Sequence, residues 1–270
     1  MSRLTGKVVI VTGSGTGIGR AIALRAAAEG AAVVIHDRLA ELVPPAVAAV
    51  EAAGARAVGH VEDLTADGCP ERLVQLAVDS FGRLDSIVNN AAIITSGDIH
   101  STDAAAFDRT LAVNTLAPLR LIQAALPQLQ ASRGSVLNIG SVNAWCGEPN
   151  LLPYAISKGA LMTLTRNLGD VLFREAGVRV NQINPGWVLT ENEATRKRAD
   201  GLAPDWPSHL PREFCPAGRL IRPEEIAAAA IYWLADECGP ISGQVVDLEQ
   251  HPFIGRNPPK NPTTVPPPRP

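Results

Sequence analysis

Three polar side chains near the middle of the chain have the types and the spacing needed for proton transfer. Tyr154 and Lys158 are four residues apart, so on a helix both side chains project from one face, about one turn apart. An unperturbed tyrosine has a pKa of about 10, and lowering it to near 7 takes about 4 kcal/mol, which a nearby ammonium group helps to supply. The Ser141 hydroxyl can hold a substrate oxygen beside the phenol. The set predicts a general acid and base that acts on an alcohol or a carbonyl.

The combination of the three residues matters more than any one of them. An isolated Tyr-x-x-x-Lys occurs by chance in many helices, where it is usually a half-buried ring beside a solvated amine. A single serine after a strand is usually a turn residue. Ser141, however, directly follows the apolar run Ser135–Ile139, and open α/β sheets bind their ligands at the carboxyl ends of strands.

A glycine-rich turn near the amino terminus has the composition of a phosphate-binding loop. Glycines let the backbone approach a pyrophosphate, while the N–H groups and the dipole at a helix start stabilise its charge. An ordinary tight turn would look similar, but this one lies between an apolar strand and a predicted helix. The residues expected to contact a dinucleotide are Gly13, Gly15, Thr16, Gly17, Ile18 and Gly19.

The end of the second predicted strand indicates which dinucleotide binds. Asp37 lies about 20 residues beyond the glycines, where a carboxylate accepts hydrogen bonds from the adenosine ribose and repels a 2′-phosphate. NAD is therefore favoured. Arg38 supports the alternative, NADP, because a guanidinium can bind that phosphate with two hydrogen bonds. Otherwise Arg38 is a solvated loop charge.

These groups need a scaffold that brings distant parts of the chain to one edge. Continuous runs rich in Val and Ile alternate with Ala- and Leu-rich helical stretches, the pattern of a parallel sheet buried on both faces. We therefore predict an α/β fold: a single domain with a doubly wound, mostly seven-stranded parallel sheet and helices on both faces. The predicted strands are Lys7–Thr12, Ala32–His36, Ala57–His60, Leu84–Asn89, Ser135–Ile139, Arg179–Asn184 and Gln244–Leu248, with helices near 17–29, 39–53, 67–80, 103–131, 153–176 and 223–235.

Composition excludes several classes of function. The formal net charge of -3 offers no basic surface for nucleic acid. The four cysteines are scattered, without a Cys-x-x-Cys pair or paired histidines, so we expect no metal and no disulfide framework. The longest apolar run, Ile226–Ala235, is about half a membrane span. We expect a soluble cytoplasmic protein with a small-molecule substrate and no membrane partner.

Over roughly residues 4–248, these motifs resemble the short-chain dehydrogenase/reductase family in identity, order and spacing. The matching stretches are Thr12 with the Gly-x-x-x-Gly-x-Gly turn, Asn89-Asn90-Ala91-Ala92, Ser141, the Tyr154 and Lys158 pair, and Val180 to Gly186. The resemblance implies a Rossmann-like oxidoreductase that transfers hydride between NAD(P) and an alcohol or carbonyl. It adds Asp63 at the adenine edge, although Asp63 is alternatively a helix N-cap. It further implies cofactor contacts from Asn90, Ala91, Tyr154, Lys158, Pro185, Gly186, Val188 and Thr190.

The resemblance also assigns roles that the residues alone do not show. Asn114 would lie at a helix distortion and fix a water that relays protons towards Lys158. Many relatives are tetramers, which implies a homo-oligomer, either a tetramer or a dimer. The chain departs from the family after the seventh strand, where Glu249 and the following residues lead into a Pro-rich tail over 252–270. Such a tail is extended or docked on a neighbouring subunit.

Substrate recognition is expected from residues beside the catalytic motifs and from a lid over about 187–217. Aromatic faces can cover the C–H side of a polar ring, while amides and a carboxylate bind its hydroxyl groups. The mixture therefore favours a sugar or polyol as substrate. The basic run from Arg196 to Arg198 would instead attract an acidic substrate, unless it is the solvated face of a lid helix. Two other functions remain open: an NADPH-dependent carbonyl reductase, and a nucleotide-sensing or scaffold protein without turnover. The predicted substrate contacts are Asn143, Trp145, Glu148, Asn150 and Trp187.

Overall fold

A seven-stranded, fully parallel sheet forms the centre of the computed structural model, which describes residues 2–251 and 260–265. The strands are β1 Val8–Thr12, β2 Ala32–Asp37, β3 Ala57–Val61, β4 Ser86–Asn89, β5 Ser135–Ile139, β6 Arg179–Pro185 and β7 Val245–Leu248. Their order in the sheet is β3-β2-β1-β4-β5-β6-β7. The chain winds outwards from β1 to β3 and then returns to β4 on the other side of β1, so a crevice opens where the winding direction reverses.

Helices cover both faces of the sheet because the strands are apolar on both sides. One apolar core lies between the sheet and the helices α1 (Gly17–Ala28) and α9 (Pro223–Leu234). A second lies on the opposite face of the sheet, under α3 (Cys69–Phe81) and α5 (Ala117–Ser132). The helices are α1 Gly17–Ala28, α2 Val43–Ala52, α3 Cys69–Phe81, α4 Ala104–Leu111, α5 Ala117–Ser132, α6 Asn143–Cys146, α7 Leu152–Ala176, α8 Glu191–Ala199 and α9 Pro223–Leu234.

The predicted fold class and single domain are confirmed, but two helices differ from the sequence prediction. The helix expected over 103–131 is divided into α4 and α5 by a π-helical turn, Ala112–Leu116. The helix expected from residue 39 begins at Val43, where Pro44 and Pro45 occupy its first turn. Proline is favoured there because its fixed φ suits a helix and its missing N–H would be unpaired anyway.

Residues 187–217, which were predicted to form a lid and are called the lid segment below, contain α8 and the 3-10 turn Trp206–Ser208. A separate apolar cluster holds the lid segment together, and one member, Val265, comes from the carboxyl-terminal segment. Residues 260–265 therefore pack on the lid of their own chain. The remaining tail residues, 252–259 and 266–270, lie outside the described part. Within the described residues, none of the helices has the length and apolar character needed to cross a membrane.

Candidate active site

One cavity runs along the carboxyl ends of the strands and contains residues from both halves of the sheet. The glycine-rich turn and the end of β2 line one end, and Ser141, Tyr154 and the lid segment line the other. The predicted site residues that line it are Gly13, Thr16, Gly17, Ile18, Asp37, Asp63, Asn90, Ala91, Ser141, Asn143, Glu148, Tyr154, Lys158, Pro185, Gly186, Trp187, Val188 and Thr190.

The glycine-rich turn has the geometry that a phosphate-binding loop needs. Gly13 and Gly17 have φ values of 61° and 56°, which other residues rarely adopt. A Cβ on Gly19 would lie 2.3 Å from the Gly13 carbonyl oxygen, so only glycine allows α1 to approach the turn this closely. No side chain caps the start of α1, whose N–H groups remain suited to an anion. The turn therefore fits a dinucleotide pyrophosphate.

Asn90 and Ala91 connect β4 to the same turn. The Asn90 amide nitrogen donates to the carbonyl oxygens of Thr12 and Gly13, both at 2.9 Å. The Thr12 hydroxyl accepts from the backbone N–H groups of Asn90 and Ala91 at 3.0 and 3.1 Å. These bonds fix the two loops on either side of the crevice relative to each other.

Asp37 is buried at the adenosine end of the cavity. Its carboxylate accepts from the Gly15 N–H at 3.2 Å and from the Leu39 N–H at 3.2 Å. A Cβ on Gly15 would lie 2.9 Å from the Asp37 carboxylate and 2.6 Å from Leu42. Gly15 does not line the cavity, so its role is to let the turn approach Asp37. Arg38 is exposed at the edge of the same cavity.

Asp63 lines the cavity and is held by its neighbours. It accepts hydrogen bonds from Thr65 and forms an ion pair with Arg109. Burial raises the pKa of Asp63, but the bonds from Thr65 and Arg109 outweigh it and lower the pKa to about 2. The N-cap alternative is wrong, because α3 begins at Cys69 with Gly68 as its N-cap.

Ser141, Tyr154 and Lys158 converge between the two ends of the cavity. Ser141 follows β5, while Tyr154 and Lys158 lie in the first turns of α7. The Ser141 hydroxyl lies near enough to the Tyr154 phenol to lower the pKa of that phenol. The Lys158 ammonium donates to the Ile139 carbonyl oxygen at 2.7 Å and lies 5.7 Å from the centre of the Tyr154 ring.

Burial dominates the protonation of both side chains on α7. It raises the pKa of Tyr154 to about 12, although the Ser141 hydroxyl acts in the opposite direction. It lowers the pKa of Lys158 to about 8. The expectation of a phenol with a pKa near 7 is therefore not met by the protein groups alone. Lowering it that far requires further positive charge beside the ring.

Asn114 lies in the π-helical turn between α4 and α5 and does not line the cavity. Its amide oxygen accepts from the Ile93 N–H at 2.9 Å, and its amide nitrogen donates to the Ile93 carbonyl oxygen at 2.9 Å. The nitrogen also donates to the Ser157 hydroxyl at 2.9 Å. Asn114 thus connects the loop after β4 to α7, one residue before Lys158.

The loop after β6 lines the cavity together with Ser141 and Tyr154. The Thr190 hydroxyl caps α8 by accepting from the Glu193 N–H at 3.0 Å. A Cβ on Gly186 would lie 2.0 Å from the Glu249 carboxylate. A side chain at this position would therefore displace the Glu249 carboxylate from its place beside the loop.

The predicted substrate contacts divide into two groups. Asn143, Glu148 and Trp187 are buried and line the cavity. Trp145 and Asn150 do not line it, so the structure does not bring them to the reacting centre. The Trp145 indole instead donates to the Asp247 carboxylate at 2.9 and 3.0 Å. The Asn150 carbonyl oxygen accepts from the Gly97 N–H.

Sequence reasoning missed several charged residues at the lid end of the cavity. Glu193 accepts from the Trp187 indole at 2.7 Å and pairs with Arg196. Glu249 accepts from the Trp187 N–H at 3.2 Å, and Lys260 pairs with Glu148. The basic run on α8 gave a partial signal, because Arg196 lines the cavity while Arg198 is exposed. No local pattern pointed to Lys260, which lies within the Pro-rich tail.

Comparison with known proteins agrees with this geometry. The model of the family described as Enoyl-(Acyl carrier protein) reductase matches residues 13–249. The chain belongs to the short-chain dehydrogenase/reductase family.

Proteins named for different dehydrogenase and reductase activities are similar to the chain. It is 35% identical to 2-(S)-hydroxypropyl-CoM dehydrogenase 3 of Xanthobacter autotrophicus, over 90% of this chain and 94% of the relative. It is 36% identical to L-fucose dehydrogenase of Mus musculus, over 88% and 85%. The crystal structure of levodione reductase superposes with a TM-score of 0.85 at 31% identity, over 92% of this chain and 97% of that chain. Short-chain dehydrogenases/reductases are oxidoreductases, so the chain is an oxidoreductase by family.

Proposed function

We propose that the protein transfers hydride between NAD(H) and a secondary alcohol or the corresponding carbonyl. The observation that carries this proposal is the convergence of Ser141, Tyr154 and Lys158 in a cavity that also contains the glycine-rich turn. Bound NAD would supply the hydride acceptor on its nicotinamide ring, together with a positive charge on that ring. Gly13, Thr16 and Gly17 would hold its pyrophosphate, and Asp37 its adenosine ribose.

Each catalytic side chain has a role that follows from its contacts. Ser141 orients the substrate oxygen towards the Tyr154 phenol, which lines the same cavity. Tyr154 accepts the proton in alcohol oxidation and returns it in carbonyl reduction. Lys158, held by the Ile139 carbonyl oxygen, places positive charge near the phenol. Asn114 holds the start of α7 through Ser157.

NAD is favoured over NADP by the position of Asp37. The carboxylate is buried at the cavity wall and held by two backbone N–H groups, so it cannot move away from an added phosphate. Arg38 favours the second candidate, an NADPH-dependent carbonyl reductase, because its exposed guanidinium lines the same end of the cavity. Burial distinguishes the two residues: Asp37 is fixed, whereas Arg38 is solvated.

The charges at the lid end favour a neutral, polyhydroxylated substrate such as a sugar or polyol. Three carboxylates, those of Glu148, Glu193 and Glu249, line this end together with Arg196 and Lys260. An anionic substrate would meet like charge from the carboxylates. Hydroxyl groups both donate and accept hydrogen bonds, so they suit a site that contains carboxylates beside cationic groups. The name of the similar L-fucose dehydrogenase is that of a sugar dehydrogenase, which agrees with this choice.

The test is a cofactor titration followed by a substrate screen. Binding of NADH and NADPH is measured by quenching of tryptophan fluorescence, and a panel of sugars, polyols, hydroxy acids and simple secondary alcohols is screened for NADH formation. We expect tighter binding of NADH and turnover among the neutral polyols. Tighter binding of NADPH would favour the carbonyl reductase, and binding without turnover of any alcohol or carbonyl would contradict catalysis.

A further inference from the structure

The carboxyl-terminal segment, residues 260–265, forms part of the substrate end of the cavity in its own chain. Val265 is 4% exposed and belongs to the apolar cluster of the lid segment, with Trp187 and Trp206. The two indole rings are stacked, with centroids 5.3 Å apart. Gly201, in the lid, approaches Pro262, since a Cβ there would lie 3.7 Å from the proline ring. The segment is therefore packed into the lid.

Lys260 connects two walls of the cavity through its backbone. Its carbonyl oxygen accepts from the ammonium of Lys197 on α8 at 2.6 Å. Its N–H donates to the Glu148 carboxylate at 3.2 Å. Lys197 is 1% exposed and Glu148 is 6% exposed, so both bonds are shielded from water and are difficult to replace. The lid and the loop before α7 are thus linked through one residue of the tail.

The side chain of Lys260 extends into the region between these walls. Its ammonium lies 3.6 Å from the Glu148 carboxylate, 5.5 Å from the centre of the Trp187 ring and 6.0 Å from that of Phe214. Lys260 lines the same cavity as Tyr154 and Ser141. Because Lys260 lines this cavity, a substrate bound beside Tyr154 can bring a hydroxyl oxygen to the ammonium, and such an oxygen is a suitable acceptor.

We propose that Lys260 is a specificity-determining residue: its ammonium donates to a hydroxyl oxygen of the substrate away from the reacting carbon, and Glu148 accepts from a neighbouring hydroxyl. The proposal rests on the proposed dehydrogenase function and deepens it. A lysine and glutamate pair binds a ring that carries adjacent hydroxyl groups, because the ammonium donates to one hydroxyl oxygen while the carboxylate accepts from the next hydroxyl. The tail therefore contributes to recognition as well as to folding of the lid.

The test compares Lys260→Met with Arg198→Met, which removes an equal charge from the exposed side of α8. KM, kcat and NAD affinity are measured with the best neutral polyol from the screen. A charge-assisted hydrogen bond predicts a rise in KM of about 10-fold or more for Lys260→Met, with NAD affinity unchanged. Arg198→Met should match the unmodified protein. An unchanged KM in an active Lys260→Met variant would overturn the proposal and leave the dehydrogenase function intact.

Hydrogen exchange tests the structural link without activity. Amide exchange in α8 is followed in the full chain, in Lys260→Met and in a chain that ends at residue 259. We expect faster exchange in α8 after truncation and little change in Lys260→Met, whose backbone bonds to Lys197 and Glu148 remain. Equal exchange in all three would overturn the link between tail and lid. If the full chain binds NAD but turns over no alcohol or carbonyl, the proposed function fails, and with it the substrate role of Lys260.

Discussion

Tyr154 shows how strongly one side chain depends on its surroundings. Burial holds its phenol in the neutral form, with a pKa of about 12, and the Ser141 hydroxyl and the positive charge of Arg196 offset that increase only in part. The neutral phenol is a ready proton donor for carbonyl reduction. Alcohol oxidation needs the phenolate, so it needs every positive charge that the site can place near the ring.

Replacing Tyr154 by phenylalanine tests its role as acid and base. The ring and its packing remain, but the proton donor is lost, so kcat should fall about 10²- to 10⁴-fold in both reaction directions. NADH affinity, measured by fluorescence titration, should stay near its original value. Tyr232→Phe is the matched control, because Tyr232 is the other tyrosine of the chain and packs against Trp233 on α9. Turnover that survives in Tyr154→Phe would show that another group transfers the proton.

Replacing Asp37 by serine tests cofactor choice. The variant removes the buried charge that would repel a 2′-phosphate, so the ratio of NADP to NAD affinity should rise about 10-fold or more. Arg38→Ala should lower NADP affinity in the Asp37→Ser background, because the guanidinium is then the remaining partner for the phosphate. Both effects are measured as dissociation constants at fixed ionic strength. A ratio that does not move would mean that Asp37 does not face the ribose.

The strands position Ser141, the proposed catalytic serine, through a chain of side-chain amides. Asn184, on β6, accepts from the Ser141 N–H at 3.1 Å and donates to Asp247 at the end of β7 at 2.9 Å. Gln182 donates to the same Asn184 oxygen at 2.7 Å. The turn after β5 is therefore fixed by the neighbouring strand β6 and, through Asn184, by β7. Its geometry depends on how closely the backbone at Gly140 can approach the side chains on β6.

Gly140→Ala tests this arrangement. A Cβ at Gly140 would lie 2.1 Å from the Asn184 amide oxygen and 2.3 Å from the Gln182 amide nitrogen. Neither amide can move without losing a bond, so the turn should shift and displace Ser141. We expect kcat to fall at least about 10-fold, since displacing a catalytic group by about 1 Å is costly, while NADH affinity changes little.

Gly159→Ala is the control for Gly140→Ala. It lies on α7, and its added Cβ would meet the Ala144 carbonyl oxygen at an ordinary 3.4 Å. Because alanine favours a helix by about 1 kcal/mol over glycine, the control should be as stable as the original protein or slightly more so. If Gly140→Ala retained full kcat, a rigid turn at Ser141 would not be needed.

Strands and helices with a continuous hydrophobic pattern were predictable from the sequence. Features that depend on contacts between residues far apart along the chain were not. Each of the seven predicted strands overlaps an observed one, because most of them contain the adjacent Val, Ile or Leu residues that are typical of strands in a parallel sheet. The π-helical turn had no signal in hydrophobic periodicity, and only the family resemblance placed a distortion at Asn114. Trp145, on the short helix α6, lies outside the cavity, and its indole bonds to Asp247, which is 102 residues away along the chain. Such a partner cannot be read from local sequence.

For the whole molecule, the sheet brings to one edge the parts of the site that are far apart in sequence. Gly13, Ser141 and Gly186 each follow a strand, so their convergence was predictable from the parallel topology. The contribution of Lys260 was not, because the tail composition predicts an extended chain without a docking position. Its position is set by the apolar cluster of the lid, in which Val265 is the tail's anchor.

The pH dependence of global stability follows from the buried ammonium of Lys158. Burial lowers its pKa to about 8 in the folded chain, from 10.5. Between these values the unfolded chain binds more protons, so the contribution of Lys158 to the free energy of unfolding increases as the pH rises from about 8 towards 10.5, by at most about 3 kcal/mol. Below pH 8 both states are protonated, and the contribution stays at its lowest. Tyr154 acts in the opposite direction only above pH 10, because its pKa is raised from 10.0 to about 12.

Lys158→Met isolates this effect, because methionine keeps most of the buried stem and does not titrate. The free energy of unfolding of the original protein minus that of the variant, measured by urea unfolding, should rise between pH 8 and pH 10. Tyr154 is present in both chains, so its own titration largely cancels in the difference. Salt should change the difference little, because the ammonium is shielded from solvent. A difference that stays flat or falls over this range would mean that Lys158 is not buried as a cation, and the placement of positive charge beside Tyr154 would then lose its basis.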